Sequence, residues 1–88
     1  LENVYRLQIM NATEQPQRYR ISASGLQGLQ VASEAEVSVE PAQSRLVPVQ
    51  LHIPYGSAEA GSHPVQFHID AVGGSDKVTE KAVFLVPR

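Results

Sequence analysis

Eighty-eight residues suit one small domain with a single core and leave no room for a second. Cysteine is absent, so neither a disulfide nor a thiolate metal site can support the fold, and the hydrophobic core must do so. A formal net charge of −2 and a pI near 5.9 exclude the basic balance of a nucleic-acid binder, and no apolar run approaches the ~20 residues that span a bilayer.

Seven strands are predicted in chain order, over 3–11, 18–24, 28–33, 36–40, 45–53, 64–72 and 77–86. The first two are alternating runs on either side of a polar turn carrying Pro16, the pattern of half-buried strands. Tyr5, Leu7 and Ile9 share one face of the first, and Tyr19, Ile21 and Ala23 one face of the second. Gly25 and Gly28 bracket a short turn, and Pro41 closes the strand of Val37 and Val39. In the fifth strand Val47, Val49, Leu51 and Ile53 alternate with Pro48, Gln50 and His52. Pro48 cannot donate a ladder hydrogen bond, which predicts a bulge or an unpaired stretch there. Pro54 to Gly61 forms the longest loop, and in the sixth strand Val65, Phe67 and Ile69 alternate with Gln66, His68 and Asp70. Gly73-Gly74-Ser75-Asp76 supplies the glycines of a tight hairpin into the last strand.

One apolar and one polar face per strand requires a layer on one side only. Two sheets packed face to face satisfy it, so the fold class is all-β: a seven-stranded immunoglobulin-like, or fibronectin III-like, β-sandwich. The cysteine and tryptophan signature of antibody domains is missing. The expected core is Tyr5, Leu7, Ile9, Tyr19, Ile21, Val31, Val37, Val49, Leu51, Ile53, Val65, Phe67, Ile69, Val83 and Leu85. The last strand is ambiguous, because Ala82, Phe84 and Val86 form an equally apolar second face, and this double-sided apolarity suits contact with another part of a larger protein.

Reactive constellations are scarce. Histidine is the commonest transition-metal ligand, but His52 and His68 fall on outward faces of strands assigned to different sheets, and His63 stands alone in the loop before Pro64. Met10, a soft copper ligand in principle, is single and reads as packing at the sandwich rim or surface. Nucleophilic catalysis needs a serine beside an oriented base, and no serine lies in such a sequence. Glu34, Glu36 and Glu40 read as a solvated face, and no glycine-rich loop precedes a helix. No catalytic or metal-ligating residue is therefore assigned. Asn11-Ala12-Thr13 matches the glycosylation sequon, a three-residue pattern common by chance. Arg6, Arg18 and Arg20 lie on outward faces of the first two strands and are the candidate docking patch. No exposed aromatic interleaves with them to stack bases, so a nucleic-acid role is not indicated.

Residues 3–19 (Asn-Val-Tyr-Arg-Leu-Gln-Ile-Met-Asn-Ala-Thr-Glu-Gln-Pro-Gln-Arg-Tyr), with Gly25-Leu-Gln-Gly-Leu29 and Arg45-Leu-Val-Pro-Val-Gln-Leu-His-Ile-Pro54, carry a further signal. Together they resemble the carboxy-terminal domain of FixG-type cytochrome c oxidase accessory proteins. The resemblance implies one immunoglobulin-like domain over 1–88, excised from the C-terminus of a bacterial inner-membrane protein. Its missing part would hold transmembrane helices and cysteine-bound iron-sulfur clusters, and it would assist maturation of a cbb-type oxidase and handle copper. No cofactor belongs to this domain. It would lie on the periplasmic face and dock on a protein partner or on the membrane-embedded part of its own chain. Two readings of other classes remain: a copper-delivery domain using surface His and Met residues, and a carbohydrate-binding sandwich, for which Tyr55 is the only aromatic clearly in a loop.

Overall fold

Period-two alternation shapes the computed structural model, which describes residues 1–87. Its strands are β1 (Glu2–Asn11), β2 (Gln17–Ser24), β3 (Gln30–Val31), β4 (Glu36–Val39), β5 (Gln43–His52), β6 (Gly61–Ala71) and β7 (Lys77–Val86), with no helix among the described residues. They form a three-stranded sheet, β1-β5-β3, and a four-stranded sheet, β4-β2-β6-β7, with every pairing antiparallel. This is the immunoglobulin-like sandwich expected from the pattern. The predicted strands all form, although β3 contracts to two residues. Gly28 turns the chain there at φ 76°, where an added Cβ would stand 2.9 Å from Pro54 Cδ. The short ladder is extended by Ala32 N–H donating to Gln50 O and by Gln50 N–H donating to Ser33 Oγ.

Between the sheets lie Ile9, Tyr19, Ile21, Val37, Val39, Val47, Val49, Leu51, Ile53, Val65, Phe67, Ile69, Phe84 and Val86. The expectation for the last strand is corrected: Val83 and Leu85 face outward, 49% and 57% exposed, while Phe84 and Val86 are buried. The hairpin decides this. Its register pairs Phe67 with Glu80 and His63 with Phe84, so odd-numbered residues of β6 share a face with even-numbered residues of β7. A one-residue slip would reverse every side chain of β7. Tyr5, Leu7 and Val31 are half-buried rather than enclosed, since β1 and β3 are the sheet's edges. Tyr5 still meets Phe67 edge to face, ring centroids 5.0 Å apart.

Pro48 causes no bulge, because β1 and β5 pair in continuous register from Glu2↔His52 to Asn11↔Gln43. Leu1 and Ile53 exchange backbone hydrogen bonds of 3.0 and 2.9 Å, which fixes the alternation: Val47 and Val49 turn their amides toward β1, and Pro48 turns away from it. On that side β3 pairs with Leu51 and His52 and its extension ends at Gln50, so the missing N–H of Pro48 lies on an unpaired stretch. Pro64 obeys the same rule. It lies within β6, as does His63, and turns toward β2, whose ladder stops at Ser24↔Gln66.

Asn11 is the one buried polar side chain among the described residues. Its Nδ2 donates to Gln15 O (2.8 Å) and Val39 O (3.0 Å), and its Oδ1 accepts from Thr13 N–H (2.9 Å) and from the Thr13 hydroxyl (2.6 Å). The sequon pattern is here a pin that shapes the turn out of β1 and ties it to β4. With the amide at 0% exposure, the folded chain offers no surface at which a glycan could be attached.

Candidate docking surfaces

The three arginines of the expected patch do not share a face. Arg6 is on β1 in the three-stranded sheet, whereas Arg18 and Arg20 are on β2 in the four-stranded sheet, so Arg6 points to the opposite side of the sandwich. Consecutive strands crossing from one sheet to the other cause the split. Arg20 pairs with Glu36 across β4 at 3.3 Å. With side chains 64% and 43% exposed, the pair adds at most about 1 kcal/mol.

Arg18 has a different neighbour that sequence reasoning missed. Arg45 stands on the inward-facing register of β5, but at a position past the edge of the core, so its side chain swings across the rim and Nη1 donates to Ser38 O at 3.0 Å. Arg18 lies opposite that same Ser38 in the β2–β4 ladder. A shallow depression of about 310 Å³ is lined by Arg18, Glu34, Glu36, Val37, Ser38 and Arg45. The signal in the sequence was an arginine on the apolar register of an otherwise apolar strand face.

The structure keeps the histidines apart. His52 is half-buried on β5, His68 is half-buried on β6 with Nε2 2.8 Å from Ser24 Oγ, and the His63 ring lies 2.6 Å from Glu59 O. Among the described residues no group of three or more His, Asp or Glu side chains could hold a metal ion. Met10 is 68% exposed at the end of β1, and Tyr55 is 91% exposed in its loop. Burial raises the Tyr5 pKa above its usual 10.0, and its hydroxyl donates to Val83 O at 2.7 Å. That hydroxyl is structural, joining β1 to β7.

The sequence profile of the "IG-like fold at C-terminal of FixG", a protein described as a proposed oxidoreductase, matches residues 1–87. This chain belongs to the FixG C-terminal domain family. Among solved structures, this FixG C-terminal domain is similar to a FixG-related protein from Vibrio parahaemolyticus, with a TM-score of 0.86, 22% identity, and coverage of 97% of this chain and 78% of that one. It is also similar to an extracellular fragment of EsaA from Streptococcus gallolyticus, with a TM-score of 0.57, 20% identity, and coverage of 99% of this chain and 24% of that one. At these identities the two structures speak to the fold alone. No curated protein matches the chain. Among the described residues no helix is long and apolar enough to cross a membrane.

Proposed function

We propose that the domain is a noncatalytic interaction module of a FixG-like membrane protein. It lies on the periplasmic face of the bacterial inner membrane and positions its parent for assembly of a cbb-type cytochrome c oxidase. The observation that carries this reading is the family match over residues 1–87. The chemistry of the domain supports it. The conspicuous polar side chains Asn3, Tyr5, Asn11 and Thr13 are bonded to the backbone within the fold, whereas the guanidinium groups of Arg18, Arg20 and Arg45, though Arg20 pairs with Glu36 and Arg45 with Ser38 O, stay exposed at the surface. Iron-sulfur chemistry and copper handling belong to the remainder of the parent in this reading. The contact surface is the Arg18, Arg20 and Arg45 side, with Arg6 on the opposite face.

Deletion of the domain from the parent tests the proposal. Cluster content and electron transfer of the purified membrane protein are expected to stay largely intact, while oxidase assembly in cells falls. Reversing Arg18 and Arg45 to glutamate should weaken association without touching the core, and reversing Arg6 alone should not. Unaltered oxidase assembly after deletion, with the truncated parent present at its usual level, would remove the basis for a docking role.

A further inference from the structure

β1 crosses the four-stranded sheet on a diagonal. At its start, Asn3 Nδ2 donates to Leu85 O (3.0 Å), Asn3 Oδ1 accepts from Leu85 N–H (2.9 Å) and Tyr5 reaches Val83 O, all on β7. At its end, Asn11 is bonded to Val39 on the far edge strand β4. A wedge therefore opens between the second half of β1 and the first half of β7. Gln8, Met10 and Thr13 line one side, Lys77 and Glu80 the other, over a floor of Tyr19 and Ile69, in a cavity of about 260 Å³.

Two features mark this wedge as an unfilled strand position. The first is the exposed inner face of β7. Val78 and Glu80 lie on the same face as Phe84 and Val86, yet Val78 is 49% exposed and Glu80 is exposed, because no strand of the three-stranded sheet lies over them. The second is the free edge of β1. The bonds between Leu1 and Ile53 turn Asn3, Tyr5, Leu7 and Ile9 toward β5, so the backbone N–H and C=O groups of Arg6, Gln8 and Met10 point away from β5 into the wedge. An edge of this kind is a template for a further strand.

We infer that the residues preceding Leu1 in the longer parent chain form an eighth strand, antiparallel to β1 on its free edge, that covers Val78 and Glu80. Two observations favour the parent's own chain as occupant. Leu1 leads straight into β1, so a reversal before it lays the preceding residues antiparallel to β1, past the closed end at Asn3 and Tyr5 and on to Arg6, Gln8 and Met10 where the wedge opens. The family model describes this domain as the C-terminal part of FixG, so in that reading the parent chain runs on upstream of it. The strand needs alternate apolar residues to meet Ile69 and Val78.

Hydrogen exchange on the parent protein, with its residues before Leu1 present, tests the inference. The amides of Arg6, Gln8 and Met10 are expected to exchange at least ~100-fold more slowly than unstructured amides, together with a run of amides upstream of Leu1. Gln8→Pro removes a free-edge N–H while sparing the ladder to β5, as Pro48 does on the opposite edge, and should abolish the upstream protection while β2 and β6 keep theirs. Val78→Asp reads the same contact without altering β1, and should also release the upstream segment. Fast exchange of the three β1 amides in the parent overturns the inference. So does protection that fades on dilution of a sedimenting dimer, which would assign the edge to a second copy.

Discussion

Phe67→Ala probes the sandwich at its centre. Phe67 is 1% exposed on β6 and meets the Tyr5 ring at an interplanar angle of 75°. Truncation withdraws about 100 Å² of apolar surface, or about 2.5 kcal/mol at ~25 cal/mol per Å². A residual cavity of about 50 Å³ adds about 1 kcal/mol. Loss of the edge-to-face contact adds a further ~0.5 kcal/mol. The sum of about 4 kcal/mol compares with a total stability of about 4 to 13 kcal/mol at this size. It corresponds to a fall of about 16 to 32 °C in Tm. Calorimetric melts of the wild type and variant measure it directly. Leu85→Ala is the internal comparison: its side chain is 57% exposed and its backbone bonds to Asn3 survive the change, so about 0.5 kcal/mol is expected. A loss below about 1 kcal/mol for Phe67→Ala, or an equal loss for Leu85→Ala, would refute the face assignments of β6 and β7.

Asn11→Ala strips partners from Gln15 O, Val39 O and Thr13 N–H and should cost about 2 to 4 kcal/mol in denaturant melts; a loss under about 0.5 kcal/mol would show that the pin is dispensable. Because burial raises the Tyr5 pKa above 10.0, the folded state holds its proton where the unfolded chain has released it, so stability should fall as pH climbs from about 10 through the folded value. Tyr5→Phe should flatten that alkaline decline, and melts across pH 9 to 12 would show a persisting decline if the assignment were wrong. Since His52 and His68 sit on different sheets, calorimetric titration with copper or zinc should show weak binding of no defined stoichiometry. One tight site abolished by His52→Ala or His68→Ala would restore the copper-delivery reading.

Strand positions were legible because Val47 to Ile53 and Val65 to Ile69 alternate cleanly, and because glycine and proline punctuate the turns. The orientation of β7 was not, since Val83 and Leu85 form as apolar a row as Phe84 and Val86, and only the hairpin register chooses between them. Grouping Arg6 with Arg18 and Arg20 failed for a topological reason. Alternation gives the face of a strand but not the sheet it joins, and β1 and β2 join different ones. Arg45 escaped notice because it occupies the apolar register, and Asn11, legible only as a sequon match, hid its structural role because that lies in backbone partners 4 and 28 residues away.

The molecule measures 46 × 20 × 18 Å. Leu1, held to Ile53, and Val86, paired with Gly61 and next to Leu85 on Asn3, lie at one pole of it. A pull that separates Leu1 from Pro87 therefore peels β1 and β7 apart from that pole. The outermost bonds, Leu1 with Ile53, share the load with the paired amide bonds between Asn3 and Leu85, and the hydroxyl bond from Tyr5 to Val83 follows, so the seam opens like a zipper instead of resisting in parallel shear. Under such a load the domain is a clasp that opens from one end, its three side-chain bonds and then the terminal rungs of the β1–β5 and β6–β7 ladders giving way one after another.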